Sequence, residues 1–154
     1  MNIEEKGYVL IPFNLDEKVF QWVVTENWLS VDRYFVEVTS PGGFIYELLK
    51  PFHFFTSIET MISIRDSTDE DQEDGIWHDD GSRVLAFSLS LTIDGKSIDG
   101  GTLEIRRKND DFFDSIPTPD YGTAIVFLTG VHGFEHRTRK VLKSKRVILV
   151  GWCS

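Results

Sequence analysis

The hydrophobic period of this chain changes near residue 58, and that change limits the folds open to it. Beyond it, apolar residues recur at every second position, the period of a strand with one face buried. Val84 to Leu91 is the cleanest case, with Leu85, Phe87, Leu89 and Leu91 on one face. Thr60 to Ile64 and Thr102 to Ile105 read the same way, Trp77-His78 opens a further strand, and Phe134 to Thr138 and Val147 to Trp152 complete the set. Thr123 to Leu128 is apolar almost throughout, as expected of a strand buried on both faces. Gly95, Gly100-Gly101, Pro117-Thr118-Pro119 and Gly122 punctuate the gaps. Short strands separated by such turn signals predict a barrel or sandwich.

The N-terminal part reads differently. Tyr8 to Ile11 is a short apolar run that predicts a first strand. Asn14 precedes Glu17 in a capping-box-like start, and Leu15, Val19, Val23, with Phe20 and Val24, fall at helical spacing, so residues 15–28 are expected to be an amphipathic helix. Ser40-Pro41-Gly42-Gly43 is a break, and Phe44 to Phe55 predicts a second, short helix interrupted at Pro51. The expectation is a mainly β protein with N-terminal helices, organised as one domain over 1–154: a helical support region over 1–57 and a β core over 58–154. A chain of 154 residues can bury roughly 68–70% of its unfolded surface without covalent staples.

Charge and cysteine usage narrow the function classes. The net charge of −9 argues against a general nucleic-acid binder, which needs clustered Lys and Arg for phosphate contacts. No apolar run approaches the roughly 18 residues of a membrane-spanning helix, and Met1 to Lys6 has no apolar stretch of the secretory kind. The one cysteine, Cys153, permits no intrachain disulfide and fits a reducing compartment; a cytoplasmic protein is expected. The charges are segregated. Asp66 to Asp80 carries eight carboxylates and no Lys or Arg, whereas Arg137 to Arg146 carries six basic residues. Most of these read as solvated faces. The sharper reading makes the acidic segment a mobile lid over a ligand pair.

That ligand pair lies in His78-Asp79-Asp80, set against His136 and Arg146. Side chains alternate along a strand, so His78 and Asp80 are expected to point one way and Asp79 the other. Phe134, His136 and Thr138 share a face. A hairpin joining 134–140 to 146–152 would bring His136 and Arg146 into one cavity. Two imidazoles and a carboxylate can hold one Fe(II) on one face and leave the opposite positions open, the facial triad of non-haem iron oxygenases. Arg146 adds a fixed cation for a carboxylate co-substrate. Singly these signals are weak; in order and in a β context they reinforce one another.

The stretch from Trp77 to Trp152 resembles the double-stranded β-helix (jelly-roll, cupin-like) core of the Fe(II)- and 2-oxoglutarate-dependent dioxygenases, in particular their prolyl-hydroxylase-like branch. The residues that carry the resemblance are His78-Asp79-Asp80-Gly81, Gly100-Gly101-Thr102-Leu103, Gly122 to Phe127, His136, Arg146 and Gly151-Trp152. It covers about half of the chain. It implies that His78, Asp80 and His136 bind Fe(II), and that Arg146 pairs with the distal carboxylate of 2-oxoglutarate, with a hydroxyl from Thr138 or Thr102 beside it. O2 is then the oxidant and ascorbate an accompanying reductant. Succinate and CO2 are released as a peptide or small-molecule substrate is hydroxylated. Related halogenases lack the carboxylate, so Asp80 favours hydroxylation. His132 competes with His136 as distal ligand; the ten-residue offset from His136 to Arg146 favours His136. Val150 stands where prolyl-hydroxylase relatives place a threonine. The alternatives are a cupin-like metal protein without 2-oxoglutarate and a non-catalytic jelly-roll binding module. Acidic loops over 66–76 and 106–120 would suit a basic substrate.

Overall fold

The computed structural model describes residues 2–154. A single helical turn, α1 (Ile3–Lys6), leads into β1 (Tyr8–Pro12), and three helices follow: α2 (Glu17–Val24), α3 (Trp28–Val38) and α4 (Phe44–Leu49). The remaining strands are β2 (Ile58–Asp66), β3 (Leu85–Ser90), β4 (Asp99–Gly100), β5 (Leu103–Arg107), β6 (Asp114–Ile116), β7 (Thr123–Leu128), β8 (Phe134–Thr138), β9 (Val141–Lys143) and β10 (Lys145–Cys153). They form a five-stranded antiparallel sheet in the order β1-β7-β3-β10-β2, a three-stranded sheet β6-β5-β8 and a two-stranded ribbon β4-β9. The expected mainly β architecture with N-terminal helices is what the chain adopts. Among the described residues no helix is long and apolar enough to cross a membrane.

Each of the three longer helices buries two apolar residues four apart: Val19 and Val23, Val31 and Phe35, Ile45 and Leu49. Side chains four apart lie one above the other on a helix, so each pair forms a stripe that packs on the large sheet. The helix expected over residues 15–28 is shorter, ending at Val24, and a further helix, α3, follows it. Asp16, not Asn14, caps α2, its Oδ1 accepting from the Lys18 N–H at 2.9 Å. Thr25 turns its hydroxyl back to the Gln21 carbonyl, Glu26 adopts φ +55°, and the Asn27 side chain caps α3. Thr-Glu-Asn is therefore a helix break that separates α2 from α3. The second expected helix stops at Leu49, just before Pro51.

The large sheet sorts its residues by face. In β10, Arg146, Val150 and Trp152 line the central cavity, and Ser88 of β3 pairs with Val150 on that same face. Leu85, Phe87 and Leu89 therefore lie on the opposite face, toward the helices, in the main apolar core. The ring of Phe87 lies over Gly151, its cross-strand partner, where an added Cβ would sit 2.1 Å from Cε1. Gly151 is thus required by close approach, and β7 is buried on both faces, as its unbroken apolar run demands.

The hairpin expected between 134–140 and 146–152 does not form. β8 pairs with β5, whereas β10 is inserted between β3 and β2. Residues 141–143 make a strand of their own against β4, and Ser144, at φ +69°, turns the chain onto the other sheet. His136 and Arg146 consequently face one cavity from opposite sheets.

The acidic segment is fastened down rather than free. The Gln72 side chain accepts from the Val141 N–H at 2.7 Å and donates to its carbonyl at 3.0 Å. Asp74 takes two bonds from the Arg139 guanidinium, at 2.8 and 2.9 Å, and one from the Lys140 N–H at 3.1 Å. The Arg139 bonds, with that of Lys140, pull the Asp74 carboxyl down to about 2. An unfolded Asp titrates near ~3.9. A depressed carboxyl stabilises the fold fully above the unfolded value and loses that contribution as pH falls through the folded one. Backbone hydrogen exchange across 67–76, corrected for intrinsic rates, should therefore stay slow at pH 5 and quicken between about pH 4 and 2, while Asp74→Asn should be fast throughout. Superimposable profiles for the two proteins would show that the tether contributes nothing.

Candidate metal centre

Three side chains converge at one end of the cavity. His78, Asp80 and His136 each offer a ligand atom, and these atoms lie within 4.8 Å of one another. Asp80 sits between the imidazoles, its Oδ1 3.5 Å from His78 Nε2 and its Oδ2 3.2 Å from His136 Nε2. The route to this grouping differs from the one expected. Only His78 is paired, through a single bridge to His136, with N–H to carbonyl distances of 3.0 and 2.9 Å. Asp80 is not strand at all: it takes φ +61° and Gly81 φ +63°. A left-handed turn, rather than strand parity, swings the carboxylate back beside the imidazole. Asp79 points away and pairs with Lys108 at 2.7 Å.

The donor set fits a divalent metal. Asp80 Oδ2 is buried and has no hydrogen-bond partner among the described residues. The His78 Nδ1 atom lies 2.9 Å from the Ile76 carbonyl, so it carries the proton and leaves Nε2 with its lone pair toward Asp80. Burial raises the Asp80 carboxyl; the imidazoles of His136 and His78 beside it outweigh that and leave it net lowered. A carboxylate held ionised between two imidazoles has the chemistry of a metal ligand. His78 is 49% exposed while Asp80 and His136 are 11% and 7% exposed, so the centre opens on the His78 side.

The segment leading to His78 is locked from outside. Trp77 stacks against two guanidinium groups, Arg106 at 4.0 Å and Arg137 at 4.4 Å from the ring centre. These arginines form cross-strand ion pairs, Arg106 with Glu135 and Arg137 with Glu104. Trp77 therefore fixes the backbone before the first ligand and does not line the cavity.

Arg146 lies deeper. It is 4% exposed and has no carboxylate partner among the described residues. Its Nε donates to Thr118 Oγ1 at 3.2 Å. Gly101, at φ +66°, lets the side chain pass: a Cβ there would lie 2.8 Å from Arg146 Cδ. Burial, with the charge of Arg65 adding, pulls the guanidinium down to about 9, which leaves it charged at neutral pH. A buried cation without an anion is costly, and the arrangement fits a carboxylate ligand. Thr138 lines the same cavity, of about 180 Å³, whereas Thr102 does not. His132 lies in a short turn (Gly130–His132), packed edge-on against His53 at 4.7 Å, outside the ligand group. The sequence reading missed Thr118, which lies in the loop between β6 and β7, and the cavity positions of Arg65 and Trp152. The parity of the last two along β2 and β10 is visible, but which face meets the cavity depends on a register that sequence does not specify.

No protein-family model matches the chain, and no curated protein sequence matches it significantly. Solved structures do. A prolyl-4-hydroxylase from Pseudomonas putida superposes with a TM-score of 0.67 at 16% identity, over 98% of this chain and 86% of that one. The chain has the prolyl-4-hydroxylase fold. A prolyl 4-hydroxylase from Phytophthora capsici gives 0.67 at 13% identity, over 99% of this chain and 60% of its own. A prolyl hydroxylase from Trichoplax adhaerens, solved with a hypoxia inducible factor peptide fragment, gives 0.63 at 12% identity, over 98% and 84%. With that fold, the carboxylate and two imidazoles occupy one end of the barrel cavity and Arg146 the other.

Metal binding should be visible as stabilisation, since a ligand that binds only the folded state raises its melting temperature. Mn(II) or Fe(II) should raise the Tm of the wild type and leave Asp80→Ala unmoved. Equal shifts in both proteins would place the metal elsewhere.

Proposed function

We propose that this protein is an Fe(II)- and 2-oxoglutarate-dependent dioxygenase that hydroxylates a peptide side chain or a small molecule, the described chain acting as one catalytic unit. The observation that carries this reading is the pairing, in one cavity, of a His-Asp-His group with a buried guanidinium that has no anion. His78, Asp80 and His136 would hold the iron. When bound, Fe(II) and 2-oxoglutarate supply O2 activation, with decarboxylation to succinate and CO2 coupled to oxidation of a substrate C–H bond.

The chain's own residues do the rest by position. Asp80 and the two Nε2 atoms form three donors on one side and leave the other side open. Arg146, steadied by Thr118 and by the space over Gly101, would take the distal carboxylate, with the Thr138 hydroxyl on the same wall. Phe127, whose ring meets that of His136 at 4.7 Å, and Leu103 exclude water beside the centre. The substrate would approach past His78, the exposed ligand. The Trichoplax neighbour with its bound peptide supports a peptide as one substrate class. Of the carboxylates first read as a lure for basic substrates, Asp74 is engaged internally by Arg139.

Aerobic incubation with Fe(II), ascorbate and 2-oxoglutarate should release succinate slowly even without a prime substrate. Arg146→Met should raise the 2-oxoglutarate concentration required by about a hundredfold, the scale of losing a charge-assisted bidentate contact. A folded, iron-loaded protein that forms no succinate at any concentration would contradict the proposal and favour a cupin-like metal protein.

A further inference from the structure

Arg146 is not alone at the deep end of the cavity. In the register of the large sheet its cross-strand partner is Arg65 of β2, and partners in an antiparallel pair project from the same face. Both arginines line the cavity. Like charges directly opposite one another destabilise a sheet, so the pair is a local cost that no ion pair among the described residues offsets. Arg65 sits at the start of the most acidic stretch of the chain, yet it takes none of those carboxylates. Asp66 spends its carboxylate on the Thr68 N–H and hydroxyl, Asp74 spends its own on Arg139, and Glu73 offers Arg65 only its backbone carbonyl, at 3.4 Å. Among the described residues Arg65 has no ion-pair partner. Two guanidinium groups, one buried and one partly exposed, thus face a common space without an anion.

We propose that Arg65 is a second positioning residue for the co-substrate, closing with Arg146 into a two-guanidinium clamp on the distal carboxylate of 2-oxoglutarate. The inference rests on the reading of the protein as a 2-oxoglutarate-dependent oxygenase and deepens it. Arg146 approaches from β10 inside the sheet and Arg65 from the edge strand β2. A carboxylate has about four acceptor positions, enough for both. Bridging it relieves the repulsion between the two arginines, so the anion gains from each and removes the cost of their proximity. Arg65 also holds the Glu73 carbonyl, which links the clamp to the tethered loop.

The test separates this inference from the reading beneath it. Mn(II)-loaded full-length protein is titrated calorimetrically without oxygen, first with 2-oxoglutarate, then with 2-oxopentanoate, which has the same carbon chain but no distal carboxylate. Wild type should prefer 2-oxoglutarate strongly. Arg65→Met should weaken 2-oxoglutarate by about tenfold or more, the size of a hydrogen bond to a charged group, and leave 2-oxopentanoate within about twofold. Arg65→Lys should recover part of the loss, since it restores charge without the fork. Unchanged 2-oxoglutarate affinity in Arg65→Met, or equal loss for both acids, would overturn the clamp while leaving the oxygenase reading in place. A wild type that binds the two acids alike would overturn that reading itself, and the clamp with it.

Discussion

His78 and His136 exchange both of their backbone hydrogen bonds, at 3.0 and 2.9 Å, and the candidate centre hangs on that exchange. The segment from 67 to 84 forms no strand of its own, apart from this one bridged residue. Without it, the first ligand and the carboxylate two residues later would be held to β8 only through the neighbouring contacts of Gly75 and Trp77. The bridge brings the rings to 4.3 Å between centres, and the left-handed turn at Asp80 and Gly81 then folds the carboxylate between them. Everything else around the segment reinforces the same geometry. Trp77 is held between two guanidinium groups, Asp79 by Lys108, and the loop before them by Gln72 and Asp74.

The charges obey a division between faces. On the outer surface of the small sheet, arginines and glutamates alternate across strands and neutralise one another. Inside the cavity the charges are complementary only to something absent from the described residues: at one end a carboxylate oxygen without a hydrogen-bond partner, at the other a guanidinium without an anion. Buried polar groups in native proteins are nearly always paired. Leaving them unpaired at both ends of one cavity, in a fold whose apolar core is otherwise continuous on the helix side, is the mark of a site for a metal and a dicarboxylate.

The sequence disclosed some of this through physics and some through resemblance. Period-two alternation in 84–91 and the unbroken run in 123–128 were legible because burial acts on every residue of a strand. The helix break at Thr25-Glu26-Asn27 was not, because the apolar spacing runs through it and only the backbone turn at Glu26 reveals it. The three candidate ligands do come together in one group, but the reason given for His78 and Asp80, strand parity, is not how the chain achieves it. The expected hairpin failed for a related reason: period alone cannot say which sheet a strand joins. Arg65 was invisible for the same cause, since its importance lies in a cross-strand register with a residue about eighty positions away.

The most direct test of the central claim is anaerobic addition of Fe(II) and 2-oxoglutarate to the apoprotein, followed in the visible range. If His78, Asp80 and His136 hold the metal and Arg146 the far carboxylate, a saturable charge-transfer band of the chelate will appear, and it will be absent from His136→Ala. A folded protein that binds iron at the same three residues but develops no band at any 2-oxoglutarate concentration would contradict the account: the buried guanidinium would then serve another anion, and the oxygenase chemistry would be lost with it.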